Sequence, residues 1–317
     1  MSSPAIKTPR RGIQPRSQWS RTLDKAFIWL AQLFAIAVAL TLIWIAIQVA
    51  IAATPAIRQF GVGFFVNTAW DPVNTQYGAL PQIYGTIVTS AIALLIAVPV
   101  GLGVSIFLSE DYLPPKIQLV LVFLVELLAA IPSVVYGLWG IYVLIPILGN
   151  LGRPLNAYFG WLPIFSTPPA GPGMLPAGVI LSIMILPTIA AISRDALISV
   201  PSNLRQAAVG LGATRWETIL KVLLPAAFSG IIGAVMLALG RAIGETMAVT
   251  MLIGNSNNIS PSILAPANTI PSLLANQFAE ASGLQVSALM YAALILFGIT
   301  LLVNILAQLL VRRVQRI

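Results

Sequence analysis

The sequence predicts an all-α integral membrane protein with six transmembrane helices. Four observations carry that expectation. Hydrophobic residues make up 58% of the 317 residues and charged residues only 8%, whereas a soluble domain is about a quarter charged. Apolar runs of about 18 residues or more, long enough to cross a hydrocarbon core as helix, recur along the chain. The alternating runs of about 10 residues expected of a transmembrane barrel are absent. Basic residues cluster at the two ends and in particular loops, the pattern of the positive-inside rule.

Taken in order, residues 1–25 read as a basic, disordered cytoplasmic tail, rich in Ser, Pro and Arg and solvated rather than bound to a specific lipid or protein. A membrane domain is expected over 26–316. Its first span is placed at about 26–53; it is too long for a cleaved signal peptide and lacks a small-residue cleavage site. The others are placed at about 83–108, 132–148, 175–193, 227–253 and 286–311. The apolar run 117–148 is too long for one span. Residues 117–131 are therefore read as a cytoplasmic-side helix leading into a span that begins near Pro132, and Glu126 on it as facing an interface or snorkelling. Pro132 and Gly137 are expected to shape the break and the tight packing after it.

Six crossings put both termini in the cytoplasm. Fourteen of the 17 basic residues then lie inside: Lys7, Arg10, Arg11, Arg16, Arg21, Lys25, Lys116, Arg194, Arg205, Arg215, Lys221, Arg312, Arg313 and Arg316. Arg58 and Arg153 lie outside and Arg241 within the membrane. The net charge of +8 is thus a topology signal directed at the lipid bilayer, and no nucleic-acid partner is expected. The absence of Cys and His excludes disulfides, thiol chemistry and Cys/His metal sites. External loops are expected at 54–82, 149–174 and 254–285, with Trp70, Tyr158, Phe159 and Trp161 at headgroup level.

The internal loop 194–226 is patterned. Pro201-Ser202 offers a helix start with Ser202 as N-cap. Gly210 and Gly212 break that helix. A second helix follows from Thr214, with Trp216, Ile219, Leu220 and Leu223 on one face, and Pro225 is expected to end it. The segment RQAAVGLGATRWETILKVLLP, residues 205–225, resembles the cytoplasmic loop of ABC-importer permeases, written E-A-A, three residues, G, nine residues, I-x-L-P. Gln206, Ala207 and Ala208 match its start, Gly212 its glycine, and Leu224 and Pro225 its end. Gln206 replaces the usual Glu and Val222 the usual Ile. In that family the loop docks into the ATP-binding subunit.

Two further stretches, AAIPSVVYGLWGIYVL at 129–144 and LGRAIGETMAVTMLIGN at 239–255, resemble the permeases of phosphate-specific importers, the PstC type more than the paired PstA type. The resemblance runs from about residue 80 to 315. It implies a type I (MetI-like) importer permease in the bacterial inner membrane. It also implies partners: a PstA-type permease, two PstB-type ATP-binding subunits and a periplasmic PstS-type phosphate-binding protein. ATP and Mg would bind on the ATP-binding subunits. This chain itself lacks a G-x-x-x-x-G-K-[ST] loop and is expected to be non-catalytic and to bind no cofactor or metal.

Arg241 and Glu245 stand inside an apolar run. A charge at mid-membrane costs roughly 2.5–3.5 kcal/mol on insertion scales. Four residues apart on one helix, the two would share a face and pair. A buried pair is weak evidence for a purely structural role. Arginine's planar fork suits an oxyanion, so Arg241 is expected on the phosphate route with Glu245 as its orienting partner; the alternative is a structural ion pair joining helices of the two permeases. Gly240 and Gly244 form a G-x-x-x-G step that lets a neighbouring helix approach. A secondary anion carrier is the rival from another class, but it lacks the intramembrane carboxylates or histidines and the inverted repeat that such carriers use. A membrane-embedded enzyme would need a nucleophile–base or metal constellation, and none is present.

Overall fold

The computed structural model describes residues 18–169 and 171–314. Most of the expected tail, residues 1–17, lies outside the described residues, whereas Gln18 to Lys25 begin a helix rather than continue a coil. The chain divides into two compact units at Gln48/Val49. Residues 18–48 form the first part of α1 (Gln18–Phe60), whose Phe27, Trp29, Phe34 and Trp44 are exposed as lipid-facing side chains are.

The second unit begins with the end of α1, a 3₁₀ turn (Gly61–Phe65) and a two-residue hairpin, β1 (Trp70–Asp71) paired antiparallel with β2 (Gln76–Tyr77). Trp70 packs against its own chain. Its indole Nε1 donates to Gln277 Oε1 at 2.6 Å, and its ring joins Phe64 and Tyr77 in an edge-packed cluster, because a ring with one polar tip is best satisfied where that tip finds a partner. Tyr158 and Trp161 are exposed.

Among the described residues, six helices are long and apolar enough to cross a membrane. The second is α2 (Leu80–Ser109). After it, α3 (Pro115–Ala129) stands as a separate helix. The chain breaks at Ile131-Pro132, where Pro132 adopts extended backbone at the N-cap. Proline disfavours helix at the residue before it. The third span then runs as α4 (Ser133–Trp139), one wide π turn (Gly140–Leu144) and α5 (Ile145–Phe159). It continues 11 residues beyond the expected limit of 148, so the loop after it is shorter than sequence patterning implied.

The fourth span is α6 (Met174–Ile198); α2 packs on it more extensively than any other pair of elements do. The loop after it carries α7 (Ser202–Gly210) and α8 (Arg215–Thr218). A second π turn (Ile219–Leu223) leads into α9 (Leu224–Gly244). Next come α10 (Met247–Leu252), α11 (Ile270–Gln277) and α12 (Leu284–Val314).

Pro225 does not end a helix, contrary to the sequence-based expectation: Arg215–Gly244 is continuous. The physical reason is shared with the third span. Each π turn closes two residues before a proline, Pro146 and Pro225. A proline ring clashes with the carbonyl four residues back in a regular α-helix. The wider i→i+5 turn removes that carbonyl from its path.

The main core lies between α2, α4, α6, α9 and α10 around Met174, Ile180, Leu181, Ile185, Ile189 and Leu252. At one end of this unit the segments 163–169 and 254–269 meet: Ile263 N–H donates to Ile164 O at 3.0 Å and Thr167 N–H to Ser262 Oγ at 3.2 Å. There the buried Gln82 donates to Asn257 at 2.9 Å and Tyr84 to the Ser260 carbonyl at 2.8 Å. At the opposite end the last residues of α2 meet α3, α6, α7 and α8.

Candidate substrate pathway and coupling surface

The helical run containing Arg241 stops at Gly244. Glu245 has extended backbone angles (φ −68°, ψ 125°), and the chain restarts at Met247. Arg241 and Glu245 therefore do not share a continuous helix face, and no ion pair joins them among the described residues. This corrects the pairing expected from their spacing. Glu245 Oε1 instead accepts the Ala248 N–H at 3.3 Å, capping α10, where a carboxylate meets free amides and the positive end of the helix. The sequence carried this signal, since Gly244 and Thr246 are residue types that favour helix ends, but the apolar periodicity running through it masked the break.

Arg241 makes no hydrogen bond or ion pair among the described residues. It lies within electrostatic reach of the Tyr136 hydroxyl, which donates to the Leu128 carbonyl at 2.8 Å across the break before α4. Its side chain lines a half-open cavity of about 550 Å³ with Thr188, Gly233, Gly240 and Asn304. Thr188 lies near the midpoint of α6, so the guanidinium is presented at mid-depth of the bundle. A second cavity of about 510 Å³ shares Gly233, Met236 and Asn304 with the first and extends past Ser229 and Gln308 to Arg312. Thr188, Asn304 and Tyr136 were missed by sequence reasoning. Asn304 and Gln308 are four apart in an otherwise apolar run, which is the signal that would have found them.

Gly240 and Gly244 meet no other element among the described residues: a Cβ built at either has no atom of one within 4 Å. Gly137 is different. A Cβ there would stand 2.5 Å from Met251 Sδ and 3.4 Å from Ala248 Cα, so α4 and α10 touch through it.

At the other end, α7 begins after Pro201 rather than with Ser202 as cap. Gln206 and Ala207 are exposed and Ala208 is buried. Gly212 has φ +86°, a conformation in which a side chain is strained; its N–H donates to Val209 O, and Ala213 N–H donates to Ala208 O. Thr214 and Glu217 form a reciprocal capping box at the start of α8. The expected single apolar face divides. Ile219 and Leu223 are buried in a cluster with Leu197, Ala227 and Ile231, whereas Trp216 and Leu220 are exposed. With the exposed Leu204, Val209 and Leu211 these two side chains make an apolar surface on the loop. Leu224 is half-buried and Pro225 exposed. Glu126 lines a small cavity with Leu108 and Arg194, at this same end.

Residues 97–316 match the sequence model of the family described as binding-protein-dependent transport system inner membrane component. The chain belongs to that family. The permease is 44% identical over 299 residues to the phosphate transport system permease protein PstC of Haemophilus influenzae, covering 93% of this chain and 95% of that one. It is 44% identical over 318 residues to the PstC of Mesorhizobium japonicum (98% and 96%). It is 40% identical over 264 residues to the probable PstC of Methanocaldococcus jannaschii (80% and 82%). Among solved structures, a chain of the bacterial alginate ABC transporter in complex with its pentasaccharide-bound periplasmic protein superposes with a TM-score of 0.59 at 19% identity, covering 94% of this permease and 98% of that chain. A chain of the inward-facing MetNI methionine ABC transporter gives 0.51 at 20% identity, covering 75% and 94%. These likenesses show the MetI-like ABC-importer permease fold. Six apolar helices together with the family make this a multi-pass inner-membrane protein and a component of an ABC transporter complex.

Proposed function

We propose that the chain is a transmembrane permease subunit of an ATP-driven phosphate importer, with Arg241 on the phosphate route. The relatives named PstC support the substrate. One observation carries the residue assignment: a guanidinium without an ionic partner among the described residues, at mid-depth, opening into a largely apolar cavity whose polar side chains besides its own are Thr188 and Asn304. A permanently charged group so placed is costly unless an anion, a partner's carboxylate or water compensates it. Its fork donates two parallel hydrogen bonds to a phosphate oxygen pair. Thr188 and Asn304 add neutral donors that bind weakly enough for release, as a conducting site requires. Glu245 acts here by holding the turn after Arg241 rather than by pairing with it.

Both termini are cytoplasmic in this reading, so α7, α8 and the end of α2 face the cytoplasm. A PstA-type permease completes the pathway, a PstS-type protein delivers phosphate at the opposite face, and two PstB-type subunits bind ATP and Mg and hydrolyse ATP. They dock on Gln206, Ala207 and the exposed apolar side chains of α7 and α8. This chain binds no cofactor or metal of its own.

The test is radiolabelled phosphate uptake in cells lacking this chain, complemented at matched membrane levels, with sulfate as control anion. Arg241→Gln is expected to lower phosphate uptake more than tenfold, the scale of losing a charge-assisted pair, while the complex still assembles. Normal uptake by the variant removes Arg241 from the route. Wild-type uptake of sulfate alone removes phosphate as the substrate.

A further inference from the structure

Resting on that reading of the chain as an ATP-driven permease, we infer that Glu110 and Arg205 form the ionic linkage that carries the motion of the coupling loop into the second span. Glu110 caps the end of α2 and is 6% exposed. Its carboxylate Oε2 accepts from Arg205 Nη1. Burying a carboxylate is costly unless it is paired, and Arg205 pairs with this one. Arg205 immediately precedes Gln206, where the docking surface begins.

The linkage matters because α7 has little else to hold it laterally. Of its nine residues only Ala208 is buried, so apolar packing contributes little, and the buried pair fastens α7 to α2. The end of α2 is in turn a junction. The Leu108 carbonyl accepts from Gln118 Nε2 of α3 at 2.6 Å and from Arg194 Nε of α6 at 3.2 Å. The Arg215 guanidinium of α8 lies 6.0 Å from the Tyr112 ring centroid. A displacement of α7 delivered at Glu110 reaches three elements at once. Of these, α6 carries Thr188 beside Arg241, and α3 leads to the Pro132 break and Tyr136. Glu110 and Arg205 are positioning residues: neither is near the cavity at Arg241.

A double-mutant cycle in the reconstituted complex, with partner permease, ATP-binding subunits and binding protein, tests this. Glu110→Gln, Arg205→Gln and the double variant are compared for phosphate transported and for ATP hydrolysed. Each single variant is expected to lower transport per ATP about tenfold, and the double variant no further than either single, as for two groups sharing one interaction. The exchanged pair, Glu110→Arg with Arg205→Glu, is expected to recover much of the coupling; the adjoining cavity of about 140 Å³ leaves room for the longer side chain. Transport per ATP equal to wild type in the single variants, or a double variant that loses the product of both single losses, overturns the linkage. A wild-type complex that moves no phosphate overturns the underlying reading instead.

Discussion

Glycines in two regions of this permease do opposite things. In the core between α2, α4, α6 and α10 they are places where something already stands. A Cβ at Gly85 would lie 2.0 Å from the Asn268 carbonyl oxygen, one at Gly178 2.5 Å from Ile92, and one at Gly140 2.6 Å from Leu252. On α9, Gly233, Gly240 and Gly244 have nothing within 4 Å. The same residue type is used for packing within the chain in one region and leaves an open face in the other. The open face of small residues beside Arg241 takes no part in packing the described residues of this subunit.

The largest expected effect lies in the closed region. Gly85→Ala forces a methyl against a backbone oxygen that no rotamer change can move. It should cost about 3 kcal/mol or more. The chain should fail to accumulate in membranes or should lose protease resistance in the segment 254–269; wild-type levels would show that this packing is looser than the contact distance implies. Gly137→Ala is the graded case. Its nearest neighbour is the end of a flexible methionine, Met251, which can move aside. About 1 kcal/mol is expected, read as a small drop in the thermal midpoint of the solubilised complex.

Gly240→Ala and Gly244→Ala sharpen the comparison from the other side. Neither meets another element among the described residues, and replacing glycine in a helix gains up to about 1 kcal/mol of propensity. The subunit's own stability should therefore hold or rise slightly. If co-purification of the partner permease or phosphate uptake falls while stability holds, the open face is an assembly or transport surface. If stability falls, the contrast between the two regions fails.

The fold was largely legible in the sequence because the bilayer demands long apolar helices, and composition reports them directly. The Pro132 break was legible too, since 32 apolar residues are too many for one span. What periodicity did not show were departures from a regular helix inside apolar runs. Pro225 reads as a stop, and only the π turn before it reveals that it is not. Glu245 reads as helical because its neighbours are apolar, and only the backbone shows it capping α10. The position of Arg241 was readable from its cost in lipid, but its neighbours Thr188 and Asn304 come from other spans, and one sequence does not report which spans touch. Glu110 escaped notice for the same reason: its partner Arg205 is 95 residues away.

The smallest effect concerns the loop rather than the membrane. Glu217 is held down to about 2, chiefly because it accepts the Thr214 N–H, then the Thr214 hydroxyl and Lys221. Its ordinary value is 4.5. A carboxylate depressed on folding adds stability that is fully present above the unfolded value and is lost as pH falls through the folded one. The cap is therefore intact and constant from pH 8 to 5 and weakens only between about 4.5 and 2. Hydrogen exchange of the amides of 214–218 in the assembled complex, corrected for intrinsic rates, should be flat over the upper range. Thr214→Ala should raise that exchange at every pH, removing a cap interaction worth about 1 kcal/mol, while lowering uptake at most a few-fold. That small effect is itself informative. The helix of α8 is continuous with the fifth span through Ile219 and Leu223, which are buried, so its start is fixed from the membrane side even when its own cap is gone. A large loss of uptake on Thr214→Ala would instead place the capped turn itself in the contact with the ATP-binding subunit.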